Sequence, residues 1–504
     1  MIDQFTWIEL NSDGGVTHMS GMDRARFGRS VMDEDQVECG VGGGWIWDKK
    51  SLVVESDSYG YLPLYVHHTA DRIIVSDSPL SILQRIDRPE TDPIALGFLC
   101  RAGFLLGDRT LFQGIRRVPA GTRMTWTDGV LESETLESPT CDGPNSIREA
   151  VDGWADRFQV AMSRRLFDSG TFDLPLSGGR DSRMILLELH RQGVVPRRIL
   201  SLGSDVSRGS SDAYLASSLA RRLDLPFMSV RRHDRDWLEA ERARHVACGY
   251  EALEHVWLMP LWNELLDGGA PWYDGLGAGS LTRNSAASLE MTGFLRDGDL
   301  ALWAERFFTL TAATSPRWLD PILARAPFTI GNLDVVQEDL EKELSRHRDA
   351  PNPTTSFTFD NWGRRSIALN PLGICRSRRT IELPFMDRDL VAWARSIPLD
   401  MAQCNDIQTE ACHRLYPEFS DLPFDDGAPQ KASKASLWRR YRRKLQKKRF
   451  FKENTRYFGT LPFEALGDSR DRAGSHRALV LMFHLACVDT LLTGRAADSS
   501  TSLS

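Results

Sequence analysis

The feature that most constrains this chain is the motif Ser-Gly-Gly-Arg-Asp-Ser at residues 177–182, between a predicted strand and a predicted helix. Two adjacent glycines let backbone amides approach a ligand closely, and the first turn of the helix adds N–H groups and the positive end of its dipole. The motif is not a Walker loop, because no Gly-Lys-Ser/Thr sequence closes it. The sequence therefore predicts an anion-binding loop of another kind, with an ordinary glycine-rich turn as the alternative.

Strands and helices alternate around this motif. Apolar runs predict strands at 172–176, 198–203 and 226–231, with helices at 182–192 and 209–223. This alternation is typical of parallel βαβ units, so we expect an α/β fold with a doubly wound parallel sheet, followed by long helical stretches after residue 245. Ligands of such sheets lie at the carboxyl ends of strands, which places Leu200, Leu202 and Gly203 beside a bound ligand.

The front part of the chain reads differently. Residues 52–55, 64–67 and 72–75 are β-rich runs separated by turn signals, which predicts an antiparallel, β-rich sandwich. An aperiodic stretch rich in Pro, Gly and acidic residues follows, and Ser146 is placed to cap the next helix. We therefore expect domains at 1–142 and 143–495, with a disordered tail at 496–504.

Composition excludes several classes of protein. The 504 residues carry 62 Lys and Arg against 69 Asp and Glu, a net charge of −7, so general nucleic-acid binding is not expected. The eight cysteines form no CxxC pair, which favours reduced thiols in a cytoplasmic protein. The most apolar late segment, 478–488, is expected to form about three helical turns, too short to span a membrane.

The motif at 177–182 resembles the PP-loop of ATP pyrophosphatases, which cleave ATP to AMP and pyrophosphate. The resemblance implies that Ser177, Gly178, Gly179, Arg180 and Ser182 bind the nucleotide phosphates. It also implies that Asp181 binds Mg²⁺. The adenine would then lie along Leu200, Leu202 and Gly203.

With this loop in place, the whole chain resembles the asparagine synthetase family, which includes β-lactam synthetases and lasso-peptide cyclases. Residues 57–65 and 75–83 are similar to the family's "D-x-x-G-x-x-P-L-Y" and "A-S-E-x-x-x-L-L" strands. Residues 107–121 are similar to "T-x-F-x-G-I-x-x-L-P-P-G", and 382–387 to "R-x-P-F-L-D". The resemblance implies an N-terminal Ntn-hydrolase-like, glutaminase-like domain joined to an ATP-binding synthetase domain.

The first departure from the family lies at the N-terminus. Glutamine-dependent members carry a nucleophilic cysteine directly after the initiator methionine, where this chain has Ile2. The front domain is therefore expected to be inactive as a glutaminase. Cys39 and Cys100 lie in the middle of that domain, and core packing is the plain interpretation of both. Nitrogen would then come from ammonia or from an amine of the substrate.

A second departure concerns the metal. The family's "G-x-G-x-D" loop, whose Asp is a second Mg²⁺ ligand, corresponds to Gly275, Leu276, Gly277 and Gly279, with glycine at the Asp position. We expect Gly275 and Gly277 to border the nucleotide. Asp274 is a candidate substitute ligand, with a turn-capping role as the alternative.

A third departure concerns the catalytic base. The family's Glu and Arg ahead of "P-F-L-D" align with Thr380 and Glu382, so Glu382 is a candidate general base one register away. The preceding arginines, at 376, 378 and 379, are candidates for orienting an anionic substrate, and a solvated basic patch is the alternative. Segment 361–365, Asn-Trp-Gly-Arg-Arg, is similar to an "N-R-x-R-R" segment of non-classical family members.

The stretch 431–452 holds eleven Lys and Arg residues and no acid. The family brings a C-terminal lysine to its active site, so Lys431 and Lys434 are candidates for stabilising charge on the acyl-adenylate. A solvated face, or a docking patch for an anionic peptide or glycan, is the alternative.

These observations predict an ATP- and Mg²⁺-dependent ligase that activates a carboxylate as an acyl-adenylate and transfers it to ammonia or an amine. An intramolecular cyclase of the β-lactam or lasso-peptide type and a non-catalytic nucleotide-binding scaffold are the alternatives. We expect no specific nucleic-acid partner, no membrane span, a cytoplasmic location, and a homodimer as one candidate assembly.

Overall fold

The protein is described by a computed structural model. It describes residues 5–13, 15–29, 31–33, 38–136, 139–203, 212–231, 237–253, 256–282, 289–311, 314–404, 406–425, 448–452, 457–467 and 472–493. Lys431 and Lys434 lie outside the described residues, so their predicted roles stay predictions. In the basic stretch 431–452 only 448–452 is described, and there Lys448, Arg449 and Lys452 are exposed.

The front part of the chain forms two antiparallel five-stranded sheets. The first has the strand order β2-β1-β7-β6-β8 and the second the order β10-β9-β5-β4-β3. The strands are β1 (Trp7–Asp13), β2 (Val16–Gly21), β3 (Arg24–Arg29), β4 (Val41–Trp47), β5 (Leu52–Glu55), β6 (Tyr65–His68), β7 (Arg72–Ser76), β8 (Arg116–Arg117), β9 (Thr122–Thr127) and β10 (Val130–Thr135).

The two sheets pack face to face around one hydrophobic core. Alternating residues such as Ile8 in β1 and Val75 in β7 are buried together with Val54 in β5 and Trp126 in β9. Because successive strand residues point to opposite faces, Ile74 joins a different cluster, which includes residues of the helices 79–83 and 93–102. The predicted β-rich sandwich is confirmed.

The second part contains a parallel sheet of order β13-β12-β11-β14-β15. Its strands are β11 (Asp173–Pro175), β12 (Arg198–Leu202), β13 (Phe227–Val230), β14 (Trp272–Tyr273) and β15 (Ile381–Glu382). The three strands predicted from the sequence are all present, and each end lies within one residue of its predicted position. The expected α/β class, with a parallel sheet after a β-rich sandwich, is thus confirmed.

Helices cover this sheet and form most of the remaining chain. Ser146 caps the helix α3 as predicted, because its side chain accepts a hydrogen bond from the Glu149 N–H. The described helices are α1 (Pro79–Leu83), α2 (Pro93–Ala102), α3 (Ile147–Ser163), α4 (Asp181–Arg191), α5 (Asp212–Arg222), α6 (Trp237–Ala247), α7 (Met259–Gly268), α8 (Ala278–Thr282), α9 (Leu289–Asp297), α10 (Leu300–Thr311), α11 (Pro316–Leu323), α12 (Leu333–Ser345), α13 (Pro353–Thr358), α14 (Arg388–Ser396), α15 (Leu399–Cys404), α16 (Ile407–Leu415), α17 (Leu461–Gly467) and α18 (Arg472–Leu492).

A π-helical segment links the two parts of the molecule. Phe359–Ile367 and Leu369–Gly373 are π-helical, and short 3₁₀ turns occur at Val256–Leu258, Arg376–Arg378, Pro384–Met386 and Pro417–Phe419. Arg364 in this π-helix is buried and donates hydrogen bonds to the carbonyls of Gly60 and Val118 in the front part. These bonds fix the π-helix against the sandwich.

The late apolar segment lies in a helix longer than predicted. Its expected length of about three turns is wrong, because α18 has 21 residues. Within it, Gly474–Leu492 is long and apolar enough to cross a membrane, but 56% of this stretch is buried inside the protein. A buried core helix passes the same test of length and composition, so this helix is weak evidence for a membrane span.

Candidate active site

The glycine-containing motif forms a tight loop between β11 and α4. The Ser177 N–H donates a hydrogen bond of 3.1 Å to Ser182 Oγ, and the Gly179 N–H donates one of 3.1 Å to Ser177 Oγ. The two serine hydroxyls lie 3.2 Å apart. The loop therefore places two serine hydroxyls together at the N-terminal end of α4.

Gly178 packs tightly at the back of this loop. A Cβ atom there would lie 2.8 Å from the Leu215 side chain. The Gly178 N–H donates a 2.9 Å hydrogen bond to Asp212 Oδ1, and its carbonyl accepts one from the Asp425 N–H. Asp212 is a site residue that the sequence interpretation missed. The only sequence feature that could have identified Asp212 is its position in the first turn of the helix that follows a parallel strand.

Arg180 is oriented toward α16 rather than toward a ligand. Its Nε lies 3.0 Å from Asp406 Oδ2 and also donates to the Thr409 hydroxyl, while its guanidinium stacks over the Phe424 ring. Arg180 does not line the cavity described below. It attaches the loop to the start of α16.

Two carboxylates, Asp181 and Asp274, lie in the same cavity. Asp181 begins α4 and accepts a 2.8 Å hydrogen bond from Gln408 Nε2, and Asp274 caps a turn by accepting one from the Leu276 N–H. Both side chains are half-buried. Desolvation raises the pKa of each to about 6, and the nearby charge of Asp181 adds to the rise at Asp274.

The glycines of the 275–279 loop allow a close approach to Asp181. A Cβ atom on Gly275 would lie 2.6 Å from the Asp181 Cβ, and one on Gly277, where φ is +101°, would lie 2.6 Å from Met386 Sδ. At Gly279 a Cβ would lie 4.0 Å from Asp181 Oδ2. Position 279 therefore faces Asp181, and its glycine supplies no carboxylate there.

These elements surround a cavity of about 420 Å³ at the carboxyl ends of β11 and β12. Seven of the predicted residues line it: Ser177, Asp181, Ser182, Leu202, Asp274, Gly275 and Gly277. Residues that the sequence interpretation missed also line it: Ser201, Asp212, Trp257, Leu258, Leu261, Trp262, Trp362 and Ile367. Leu200 is completely buried in β12, and Gly178, Gly179 and Gly203 also lie outside the lining.

Glu382, the candidate general base, is not at the cavity. Its side chain is almost completely buried and forms an ion pair with Arg29 of β3, with Arg165 Nε 4.0 Å away. Desolvation raises the pKa of Glu382 to about 7 despite these arginines. Glu382 thus joins the sandwich to the parallel sheet, and the structure does not bring it to the reacting groups.

The arginines before Glu382 are also placed elsewhere. Arg376 donates to the backbone carbonyls of Asp77 and Ala247, and Arg379 donates to the carbonyl of Leu266. None of Arg376, Arg378 and Arg379 lines the cavity. The structure therefore does not place them to orient a substrate in this cavity.

The two mid-domain cysteines of the sandwich are core residues, as interpreted from the sequence. Cys39 and Cys100 are both buried. Desolvation raises the pKa of the Cys39 thiol to about 11 and that of Cys100 to about 12. Neither thiol is activated as a nucleophile, because activation requires a lowered pKa.

The donor set of the cavity suits Mg²⁺. Mg²⁺ prefers oxygen ligands and is usually held by one or two carboxylates together with substrate phosphates. Asp181 and Asp274 supply two carboxylates that line the same cavity. Within the described ranges, no group of three or more His, Cys, Asp or Glu side chains forms a self-contained metal site.

No protein-family model matches the sequence, and no curated protein matches it. Solved structures that are similar in part include glutamine phosphoribosylpyrophosphate amidotransferase from B. subtilis complexed with ADP and GMP, at 9% identity and a TM-score of 0.14. Another is described as the allosteric regulatory enzyme of purine biosynthesis, at 9% identity and a TM-score of 0.15. Each match covers 38% of this chain, and it covers 33% of the first protein and 47% of the second. Scores this low support no argument about activity.

Proposed function

We propose that the protein is an ATP- and Mg²⁺-dependent ligase that converts a carboxylate to an acyl-adenylate, releases pyrophosphate, and transfers the acyl group to ammonia or an amine. One observation carries this proposal. The serine hydroxyls of the 177–182 loop open into the same cavity as Asp181 and Asp274, at the carboxyl edge of a parallel sheet. Ligands of doubly wound sheets bind at this edge.

Each group has a defined role in the proposed reaction. Ser177 and Ser182 would bind the β- and γ-phosphates together with the N-terminal amides of α4. Asp181 and Asp274 would hold Mg²⁺, which neutralises charge on the phosphates when bound. Ser201 and Leu202, at the end of β12, would border the adenine. The cavity would thereby align the substrate carboxylate with the α-phosphorus.

A non-catalytic nucleotide-binding scaffold is the second candidate, and one observation favours it. Gly279 supplies no carboxylate beside Asp181, and the neighbouring Leu276 is apolar and buried. A scaffold would bind ATP without exchanging its pyrophosphate.

ATP–pyrophosphate exchange tests the proposal. The full chain is incubated with ATP, Mg²⁺ and labelled pyrophosphate, with pooled carboxylates added. We expect exchange that depends on one carboxylate pool and that falls by about 10²- to 10³-fold in Asp181→Asn, because one charged group that stabilises the reacting phosphates is lost. The matched control is Asp156→Asn, a change at an exposed aspartate on α3. Nucleotide binding without exchange in every pool would favour the scaffold.

The sandwich is proposed to have no glutaminase activity. Cys39 and Cys100 are both buried, and desolvation raises the pKa of each thiol. Purified protein should release no glutamate from glutamine. Steady release of glutamate would overturn this part of the proposal.

A further inference from the structure

One wall of the cavity lies outside the space that the proposal assigns to the nucleotide. The π-helix forms this wall. A π-helix closes its hydrogen bonds between residues five apart, as in the 2.9 Å bond from the Ala368 N–H to the Gly363 carbonyl. Residues five apart therefore lie near one face. Trp362 and Ile367 have this spacing, both are half-buried, and both line the cavity.

This wall lies next to the reacting end of the site. A Cβ atom on Gly363 would lie 3.3 Å from Ser280 Oγ, so the π-helix packs directly on α8. Gly279 precedes Ser280 and faces Asp181, and Leu276 lies just before α8 in the cavity lining. Trp257, in contrast, precedes α7, which packs on β12 at the adenine end.

In the part of the chain that the structure describes, the charged side chains lining the cavity are acidic. Its charged lining residues within the described ranges are Asp181, Asp212 and Asp274, and no lysine, arginine or histidine is among them. The two arginines of the π-helix are oriented toward the sandwich instead. Arg364 lies 2.7 Å from Asp108, and Arg365 donates a 2.6 Å hydrogen bond to the Arg109 carbonyl.

These features disfavour a dicarboxylate substrate. The first carboxylate of a substrate would approach Mg²⁺ and the α-phosphorus. A second carboxylate, as in aspartate, would lie against apolar side chains among acidic neighbours, where desolvation of a charge is costly. An aromatic or branched apolar group would instead bury its surface against Trp362, Ile367 and Leu276.

Resting on the proposed ligase function, we propose that the π-helix wall is an acyl-group subsite. It selects a monocarboxylate whose body is apolar or aromatic rather than a small dicarboxylic amino acid. Trp362 is the central contact and is a specificity residue, not a catalytic one.

The test compares two probes on the full chain with Mg²⁺ and a non-hydrolysable ATP analogue. Calorimetry measures the affinity for 3-phenylpropionate and for aspartate. We expect 3-phenylpropionate to bind at least about tenfold more tightly, and Trp362→Ala to remove at least about tenfold of that affinity, as expected for a buried aromatic contact. Trp362→Phe should retain most of the affinity. Trp47→Ala, an aromatic deletion in the sandwich, is the matched control.

The outcomes separate this inference from the proposed function. Tighter binding of aspartate, or no binding of 3-phenylpropionate, would overturn the acyl subsite. Equal affinity of wild type and Trp362→Ala for 3-phenylpropionate, with the analogue bound normally, would also overturn it. Binding that depends on Trp362 without ATP–pyrophosphate exchange would support the subsite and contradict the ligase.

Discussion

Gln408 donates a 2.8 Å hydrogen bond from Nε2 to Asp181 Oδ1, and its Oε1 accepts a 3.3 Å bond from Thr282 Oγ1. Gln408 is completely buried at the start of α16, so the amide connects α4 with α8 across the floor of the site. Partners of this kind orient metal-ligating carboxylates. We therefore interpret Gln408 as a positioning residue for Asp181.

Replacing Gln408 by leucine should weaken Mg²⁺ binding by about 10- to 100-fold while the fold is retained, because Asp181 loses its orienting donor. The measurement is the Mg²⁺ concentration required for half-maximal ATP–pyrophosphate exchange. Gln408→Asn keeps an amide on a shorter side chain. Its Mg²⁺ requirement should lie between those of the wild type and of Gln408→Leu. An unchanged Mg²⁺ requirement in Gln408→Leu would show that the hydrogen bond has only a structural role.

Gly279→Asp should create a second metal-ligating carboxylate. Its Cβ would lie 4.0 Å from Asp181 Oδ2, and no other side chain of the described residues would lie nearer, so the new side chain has room. Without Mg²⁺ the added charge should lower Tm, and with Mg²⁺ the loss should be recovered, since two facing carboxylates repel until a cation separates them. Gly279→Asn is the neutral control. Equal Mg²⁺ responses in the two variants would refute the assigned geometry.

The stability of the metal-free protein should fall as the pH rises toward neutrality. The pKa values of Asp181 and Asp274 are raised from 3.8 to about 6. Between these values the folded state binds more protons than the unfolded state, so the free energy of unfolding decreases with increasing pH. Mg²⁺ binds the ionised carboxylates and should therefore raise Tm more at about pH 7.5 than at about pH 5. A larger effect at the lower pH would contradict the assignment of these carboxylates.

The junction between the two parts of the molecule contains a fully buried charge cluster. Glu251 accepts a 3.0 Å hydrogen bond from the Tyr65 hydroxyl and lies 3.1 Å from Arg365 and 3.7 Å from Arg117. Glu251→Leu would leave two buried arginines without their counter-charge, which should cost about 3–5 kcal/mol in the free energy of unfolding. Urea denaturation measures this change in the free energy of unfolding. Glu338→Gln, in an exposed pair with Lys342, should cost less than about 1 kcal/mol.

Much of the fold could be predicted from local signals. The strands at 52–55, 72–75 and 198–203, and the Ser146 cap, depend on residues close in sequence, and the structure places them where the sequence predicts. The 177–182 motif likewise depends on the conformation of a single loop. Periodicity and turn chemistry are sufficient to predict features that depend on residues close in sequence.

The rest of the site depends on contacts between distant residues. Trp362 reaches the cavity only because a π-helix, with a period that no α-helical pattern reveals, packs on α8. The family resemblance predicts a catalytic role for Glu382, but Arg29 of the sandwich, far away in sequence, binds it instead. The resemblance also predicts that Arg180 binds phosphate, but Asp406, the N-cap of α16, pairs with it.

The proposed function requires that this cavity cleaves ATP between the α- and β-phosphates. The most direct measurement is the identity of the nucleotide product after incubation of the full chain with ATP, Mg²⁺ and pooled carboxylates plus ammonia. We predict AMP and pyrophosphate in equal amounts, dependent on the carboxylate pool and absent in Asp181→Asn. Formation of ADP and phosphate, or AMP release that persists in Asp181→Asn, would contradict it.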